Sequence, residues 1–282
     1  MSGTLIFGGG QLGQSLKELL PEATVVYHSG DSGNVADISD IKTVERIFRQ
    51  LKPETVINTA AFTDVDGCET GRERAFTTNA IGVHNIVRMC REFSTKLIHI
   101  STDYVFSGDN GMYLENSFPD PVNYYGYSKS VGDAFALSLD NSLIVRTSGV
   151  FGKNRNFPIF VYNNLNQGKV VNALDGYYSP ISSHLLAKSI MELIRIRDVQ
   201  GIINVAGTRV SRVDFATKIA EAFSLNKSLI RSVDAIPSMK ARRPFDSSLD
   251  ISKAKGLLDF DFYSLYSNLK VLSESIKGRK IS

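Results

Sequence analysis

Short apolar runs rich in β-branched residues recur along the first half of this chain, and helix-length segments separate them. The runs are Leu5-Ile6-Phe7, Thr24-Val25-Val26-Tyr27, Thr55-Val56-Ile57, Lys96-Leu97-Ile98-His99-Ile100 and Ser142-Leu143-Ile144-Val145. Between the first two, Leu12, Leu16, Leu19 and Leu20 fall at i, i+4, i+7 and i+8, one face of a helix. Strands read as continuous apolar runs when both their faces are buried, and parallel strands need helical crossovers to return. The alternation therefore predicts a parallel sheet covered by helices.

After about residue 150 the rhythm loosens. Asn154 to Asn166 and Asp175-Gly176-Tyr177-Tyr178 interrupt it, before a helical pattern from His184 to Arg197 and a further strand candidate, Gly201-Ile202-Ile203-Asn204-Val205. The chain has 282 residues, enough to bury a full core, which excludes a small disulfide-stapled fold. Its 32 Lys+Arg against 29 Asp+Glu leave a net charge of +3, too small and dispersed for a nucleic-acid or membrane-binding surface. The expected partner is a small molecule. Cys68 and Cys90 lie outside any CxxC or Cys/His cluster and read as ordinary helix residues. With no basic leader and no run of 18 apolar residues, a soluble cytoplasmic protein is expected.

Gly8-Gly9-Gly10-Gln11-Leu12-Gly13 satisfies GxGxxG directly after the first strand candidate and opens the first helix. In that context glycines let the backbone approach a pyrophosphate, and the helix N-terminus offers it free N–H groups. The ordinary alternative is a plain strand-turn-helix, which glycine clusters also mark. The expected fold is α/β, a Rossmann-type doubly wound parallel sheet with a smaller C-terminal substrate lobe. Residues 1–150 form its NAD(P)-binding part with 170–206 completing the sheet; 151–169 and 207–282 form the lobe. An acid at the end of the second strand would hydrogen-bond an adenosine 2′-OH. Tyr27-His28-Ser29-Gly30 offers none, and Asp31 lies just beyond, so NADP is slightly favoured over NAD.

Tyr125 and Lys129 stand four residues apart, on one face of a helix, where an ammonium can act on a phenol. Such pairs also arise by chance; Tyr266 and Lys270 form a second one, read as part of a surface helix. The first pair differs in its surroundings. Thr102 ends a strand candidate and so belongs to the carboxyl edge of the sheet, where open α/β folds bind ligands. Pro119, Pro121 and Asn123 mark a loop and helix start just before Tyr125.

Together with Ser101-Thr102-Asp103-Tyr104-Val105-Phe106 and Tyr125-Gly-x-x-Lys129, further segments carry a resemblance. They are Asn58 to Glu69, Asn79-Ala80, Arg146-Thr147-Ser148 and Arg243-Pro244-x-x-Ser247-x-Leu249. The chain resembles the extended short-chain dehydrogenase/reductases, and within them the dTDP-4-dehydrorhamnose reductase family. That resemblance implies reduction, by NAD(P)H, of the C4 keto group of a nucleotide-linked 4-keto-6-deoxy sugar. It implies Tyr125 as proton donor, Lys129 at the nicotinamide ribose lowering the phenol's pKa, and Thr102 on the keto oxygen. It places Gly8, Gly10, Gln11, Leu12 and Gly13 at the pyrophosphate. Asp37 and Ile38 come near the adenine, Ala60, Ala61 and Phe62 beside the ribose, and Asp103 and Arg243 at the substrate. Asp37 also reads as a helix cap and Asp103 as a turn residue; Asn79 reads as structural.

Departures from the family bear on the substrate. Phe7 stands where the first glycine of the longer GxxGxxG loop would be, and Gly149 where many members carry a tryptophan against the sugar nucleotide. Residues 175–181 keep only Asp175 and Pro180 of the family's pattern; Tyr177 or Tyr178 could supply aromatic surface instead. Ser15 replaces a glutamate that in some members binds Mg²⁺ between subunits, so no metal is expected. A homodimer stays open as the assembly, because no surface helix carries an unambiguous stripe. Two alternative functions also stay open: a sugar-nucleotide epimerase or dehydratase, and a non-catalytic NADP-binding subunit like the β subunit of methionine adenosyltransferase.

Overall fold

The computed structural model describes residues 3–29, 34–154, 156–196 and 198–278. Its first half alternates β1 (Thr4–Phe7), α1 (Gln11–Leu19), β2 (Thr24–Val26), α2 (Ile41–Leu51) and β3 (Thr55–Asn58). Three helices follow, α3 (Val65–Thr70), α4 (Arg72–Phe76) and α5 (Gly82–Phe93), then β4 (Lys96–Thr102), α6 (Tyr124–Leu137) and β5 (Ser142–Thr147). The second half runs α7 (Phe157–Asn166), β6 (Val171–Leu174), β7 (Tyr177–Tyr178), α8 (Ser183–Arg195), β8 (Gly201–Asn204), β9 (Val210–Ser211) and α9 (Arg212–Ala222). It ends with β10 (Ile230–Val233), α10 (Ser252–Leu257) and α11 (Leu265–Ile276).

Six strands form one parallel sheet in the order β2-β1-β3-β4-β5-β8. The chain leaves β1 toward β2 and returns on the other side at β3. The resulting switch point opens a crevice at the carboxyl ends of β1 and β3, beside the glycine turn. Residues 171–178, expected with this sheet, instead belong to the lobe. β6 pairs parallel with β10, and β7 antiparallel with β9. Only β8 of the 170–206 stretch joins the main sheet, alongside β5. The helical pattern read from His184 to Arg197 is α8, which ends at Arg195; Arg197 lies outside the described residues.

Successive residues of a strand face opposite sides, so the sheet is buried on both. Leu5 and Phe7 pack with Val44, Phe48 and Ile86 on one face, while Ile6 packs with Leu16, Leu186 and Ile190 on the other. A third apolar cluster, around Phe151, Val161, Val171, Phe215 and Leu272, holds the lobe. Cys68 and Cys90 are free, buried helix residues, and Tyr266 and Lys270 lie on α11 with Tyr266 78% exposed. Among the described residues no helix is long and apolar enough to cross a membrane.

Helix α6 sets the geometry of the crevice. Asn123 caps it, accepting from Gly126 N–H at 2.9 Å, which satisfies a free donor of the first turn. A Cβ on Gly126 would lie 1.9 Å from the Tyr104 carbonyl oxygen, and one on Gly132 2.3 Å from that of Asn79. Asn79 sits in a π-helical turn, Thr77–Ile81, and its side chain bridges the Phe62 backbone and Ser128 of α6. These contacts give Asn79 the structural part read from the sequence.

In an open helix, Gly→Ala gains about 1 kcal/mol. At Gly132 the clash reverses that sign: Gly132→Ala is expected to cost about 1–3 kcal/mol, the usual scale of overpacking, read as a lower urea midpoint at unchanged slope.

Candidate active site

A cleft of about 1040 Å³ runs along the carboxyl edge of the sheet, from Asp37 and Ile38 past the glycine turn to Thr102, Tyr125 and Lys129. Its floor is the turn after β1. A Cβ on Gly13 would lie 1.9 Å from the Gly8 carbonyl oxygen, so α1 begins in direct backbone contact with the turn. Around Gly10 there is open space within 4 Å of such a Cβ, on the cleft side. Thr59 donates to the carbonyls of Phe7 and Gly8, tying β3's end to the turn. This cradle fits the pyrophosphate of an NAD(P) dinucleotide.

Gly8, Gly10, Gln11, Leu12, Gly13, Asp37, Ile38, Ala60, Ala61 and Phe62 all line the cleft. The Asp37 carboxylate accepts from Ser39 N–H at 2.9 Å and from its hydroxyl at 2.7 Å; the residue capping α2 is Asp40. Burial raises the Asp37 pKa, but the Ser39 hydrogen bonds and the charges of His28 and Arg74 outweigh it and hold the carboxyl below its ordinary value. His28 lines the cleft, whereas Gly30 and Asp31 lie outside the described residues. Arg74 was not read from the sequence. It lines the same end, its guanidinium 4.5 Å from the Phe62 ring centroid, and a short helix without a motif gave no signal for it.

At the other end, strand register brings Thr102 opposite Thr147. The Thr102 hydroxyl meets the Tyr125 phenol and donates to Asp103 at 3.1 Å. Burial pushes the Tyr125 phenol well above its ordinary pKa, opposed by Thr102. In the protein alone the phenol is raised where a lowering by Lys129 was expected, because burial outweighs the opposing Thr102 contact; the Lys129 ammonium meets other neighbours. It donates to the Ile100 carbonyl at 2.7 Å, and burial lowers its pKa to about 8 against the pull of Asp133. The Thr147 hydroxyl, also lining the cleft, is buried with no hydrogen-bond partner among the described residues. Its place opposite Thr102 was legible only once the register of β5 was known.

Residues 2–276 match the family described as RmlD substrate binding domain. A dTDP-4-dehydrorhamnose reductase of Aggregatibacter actinomycetemcomitans is 32% identical to this chain over 97% of it and 100% of that protein. The chain belongs to the dTDP-4-dehydrorhamnose reductase family. A crystal structure of a hypothetical dTDP-4-dehydrorhamnose reductase from Sulfolobus tokodaii superposes with a TM-score of 0.90 at 46% identity, covering 96% of this chain and 99% of that one. A Bacillus anthracis dTDP-4-dehydrorhamnose reductase, solved in complex with NADP, gives 0.86 at 30% identity over 97% and 98%.

Two residues that the family resemblance assigned to substrate are held by partners inside the protein. Asp103 is 2% exposed and outside the cleft lining; Ser148, Ser247 and Thr102 all donate to its carboxylate. Burial pushes its pKa up, and those three hydroxyls oppose the shift. Arg243 forms a two-pronged pair with Asp66, both contacts 3.0 Å, and donates to the Ala241 carbonyl. It fastens the 240–243 loop to α3, and is likewise outside the cleft lining. Sequence spacing cannot show that an arginine's fork is already filled.

Gly149, in the family's tryptophan position, has φ +49°, and a Cβ there would lie 2.6 Å from the Tyr178 ring. Tyr178 packs behind it at 8% exposure against Phe215. It is a packing residue. Ser15 shares a 2.9 Å hydrogen bond with Ser183 where α1 meets α8.

The Lys129 pKa lies below its ordinary 10.5, so between about pH 8 and 10.5 the unfolded chain holds the extra proton and stability rises with pH. Measured against Lys129→Met, the protein is expected to gain on the order of 1–3 kcal/mol across that window by urea unfolding. A pH-independent difference would contradict the buried ammonium.

Proposed function

We propose that this protein reduces the C4 keto group of a nucleotide-linked 4-keto-6-deoxy sugar, dTDP-4-dehydrorhamnose, with NADPH as the reductant. The observation that carries this is the meeting of Thr102, Tyr125 and Lys129 in the cleft that also holds the glycine cradle. The named reductases at 30% identity or more over nearly the whole chain support the same reading. Residues 1–150 with α8 and β8 would hold the dinucleotide, and 151–178 with 207–282 the sugar nucleotide.

The cofactor supplies the hydride that adds to C4. Its pyrophosphate would rest on Gly8 to Gly13, its adenosine by Asp37, Ile38, Ala60, Ala61 and Phe62, and its nicotinamide ribose by Tyr125 and Lys129. Burial keeps Tyr125 protonated at neutral pH, so the phenol is a proton donor as charge develops on the keto oxygen. Thr102 would turn its single proton from Asp103 to that oxygen. Once the proton has moved, the charge of Lys129 stabilises the phenolate. Thr102 and Lys129 are at most 7% exposed.

Arg74 at the adenosine end favours NADP, since a cation accommodates a 2′-phosphate. Arg74→Ala is expected to lower the preference for NADPH over NADH about tenfold, the scale of one charge-assisted hydrogen bond, read from kcat/KM with each cofactor.

Tyr125→Phe is expected to lower NADPH oxidation on dTDP-4-dehydrorhamnose by about 10² to 10⁴, the usual scale of a general acid. Near-normal turnover would remove Tyr125 from that role. An inactive wild type that still binds NADPH would redirect the assignment to another keto sugar, and NAD retained through purification would favour the epimerase reading.

A further inference from the structure

Behind the cleft, on the side away from substrate, four polar side chains take no part in the reaction just described. Asn58 of β3, His99 of β4, Asp133 of α6 and Arg146 of β5 are each at most 2% exposed. Their hydrogen bonds fix the state of the imidazole. The Asn58 Oδ1 accepts from the Ala60 N–H at 3.1 Å, which decides which end of the amide is oxygen. Its Nδ2 therefore faces the His99 Nδ1 at 3.2 Å, and an amide nitrogen only donates. Nδ1 must carry the lone pair, so the ring proton of neutral His99 sits on Nε2.

Neutrality follows from the surroundings. The charged groups that meet His99 are Lys129 and Asp133 from α6, with Arg146 of β5 on the far side of Asp133; β3 contributes only the neutral Asn58. Two cations already face one carboxylate, and a third buried cation would be unpaired. Burial and the Lys129 charge accordingly hold the imidazole pKa well below its ordinary value.

The Nε2 atom lies 3.4 Å from the Lys129 Nζ and 3.6 Å from the Asp133 Oδ1. A protonated Nε2 cannot accept from an ammonium. Its complementary neighbour is Oδ1 of Asp133, which has no hydrogen-bond partner among the described residues, while Oδ2 takes Ser101 at 2.7 Å and Arg146 at 3.4 Å. We infer that His99 is a positioning residue: locked as the Nε2–H tautomer by Asn58, it serves Asp133 and denies Lys129 an acceptor behind α6. Lys129 is left with the Ile100 carbonyl at its back and turns its remaining protons into the cleft, toward the cofactor. The chain of contacts begins at the Asn58–Ala60 turn, which itself lines the cleft through Ala60, so the cofactor wall and the lysine are set by one network.

This inference rests on the reading of Lys129 as a cofactor-binding lysine, and its first test is independent of turnover. The protein has four histidines, so ¹⁵N-histidine NMR of the cofactor-free protein, with His99→Gln for assignment, resolves the ring. His99 is expected as the Nε2–H tautomer without titration between pH 5 and 9; an Nδ1–H ring, or one that titrates in that range, overturns the proposal. NADPH binding, followed by the cofactor's fluorescence, supplies the second readout. His99→Gln, whose amide can donate to Asp133, is expected within about threefold of wild type, whereas His99→Leu, which cannot, weakens binding about tenfold or more. Equal weakening in the two variants overturns it, and if the leucine variant does not fold, a loss of more than about tenfold in His99→Gln does so. A protein that passes both tests yet reduces no keto sugar would sink the reductase reading and leave the inference standing.

Discussion

Helix α6 lies against the end of β4 at backbone contact distance, and the site depends on that approach. Gly126 meets the Tyr104 carbonyl and Gly132 the Asn79 carbonyl with no room for a side chain between them. Only at that spacing do Tyr125 and Lys129 hang over the carboxyl edge beside Thr102, instead of standing off by the width of a Cβ layer. The π-helical turn that presents Asn79, and the Asn123 cap that starts α6, are fixed to the same face. Helix, strand ends and the Phe62 loop thus form one rigid corner, the arrangement that a catalytic constellation needs.

Close packing also removes water, and the electrostatics of the site follow. Burial raises the phenol of Tyr125 and lowers the ammonium of Lys129, each toward its uncharged form. A protonated phenol beside a lysine that titrates near neutrality is poised to give up a proton when negative charge appears on a neighbouring oxygen. The ion pair behind them, Asp133 with Arg146, is fully enclosed, and such a pair contributes more to geometry than to stability. Ser101, which donates to Asp133, and His99, beside it, lie on β4, so the polar layer continues the strand's own alternation into the helix.

The sugar side of the cleft is where this chain departs most from its family. Tyr178 fills the volume behind Gly149, and the positive φ of that glycine lets the chain turn without meeting the ring. Asp103 and Arg243, both quoted in the family's motifs, are consumed by internal partners: three hydroxyls for one, Asp66 for the other. A buried carboxylate needs donors and a half-buried guanidinium needs a carboxylate, and here the fold supplies them internally.

The sequence alone determined the parallel sheet, its strands, the glycine turn and the pairing of Tyr125 with Lys129, because these are written in local period and spacing. Apolar runs of strand length, a stripe at helical period and a motif between them need no knowledge of distant contacts. Partnership was decided only by the tertiary structure. Residues 170–206 were expected to complete the sheet, yet Val171–Leu174 pairs with Ile230–Val233, since strand pairing is a long-range choice that local pattern does not encode. Arg74 lines the cleft without a motif, and Arg243 and Asp103, each within one, are held by partners inside the protein. The direction of the Tyr125 shift likewise depended on burial, which a helix spacing does not reveal, and that spacing fixes a face but not the acceptor that the long Lys129 side chain finds there.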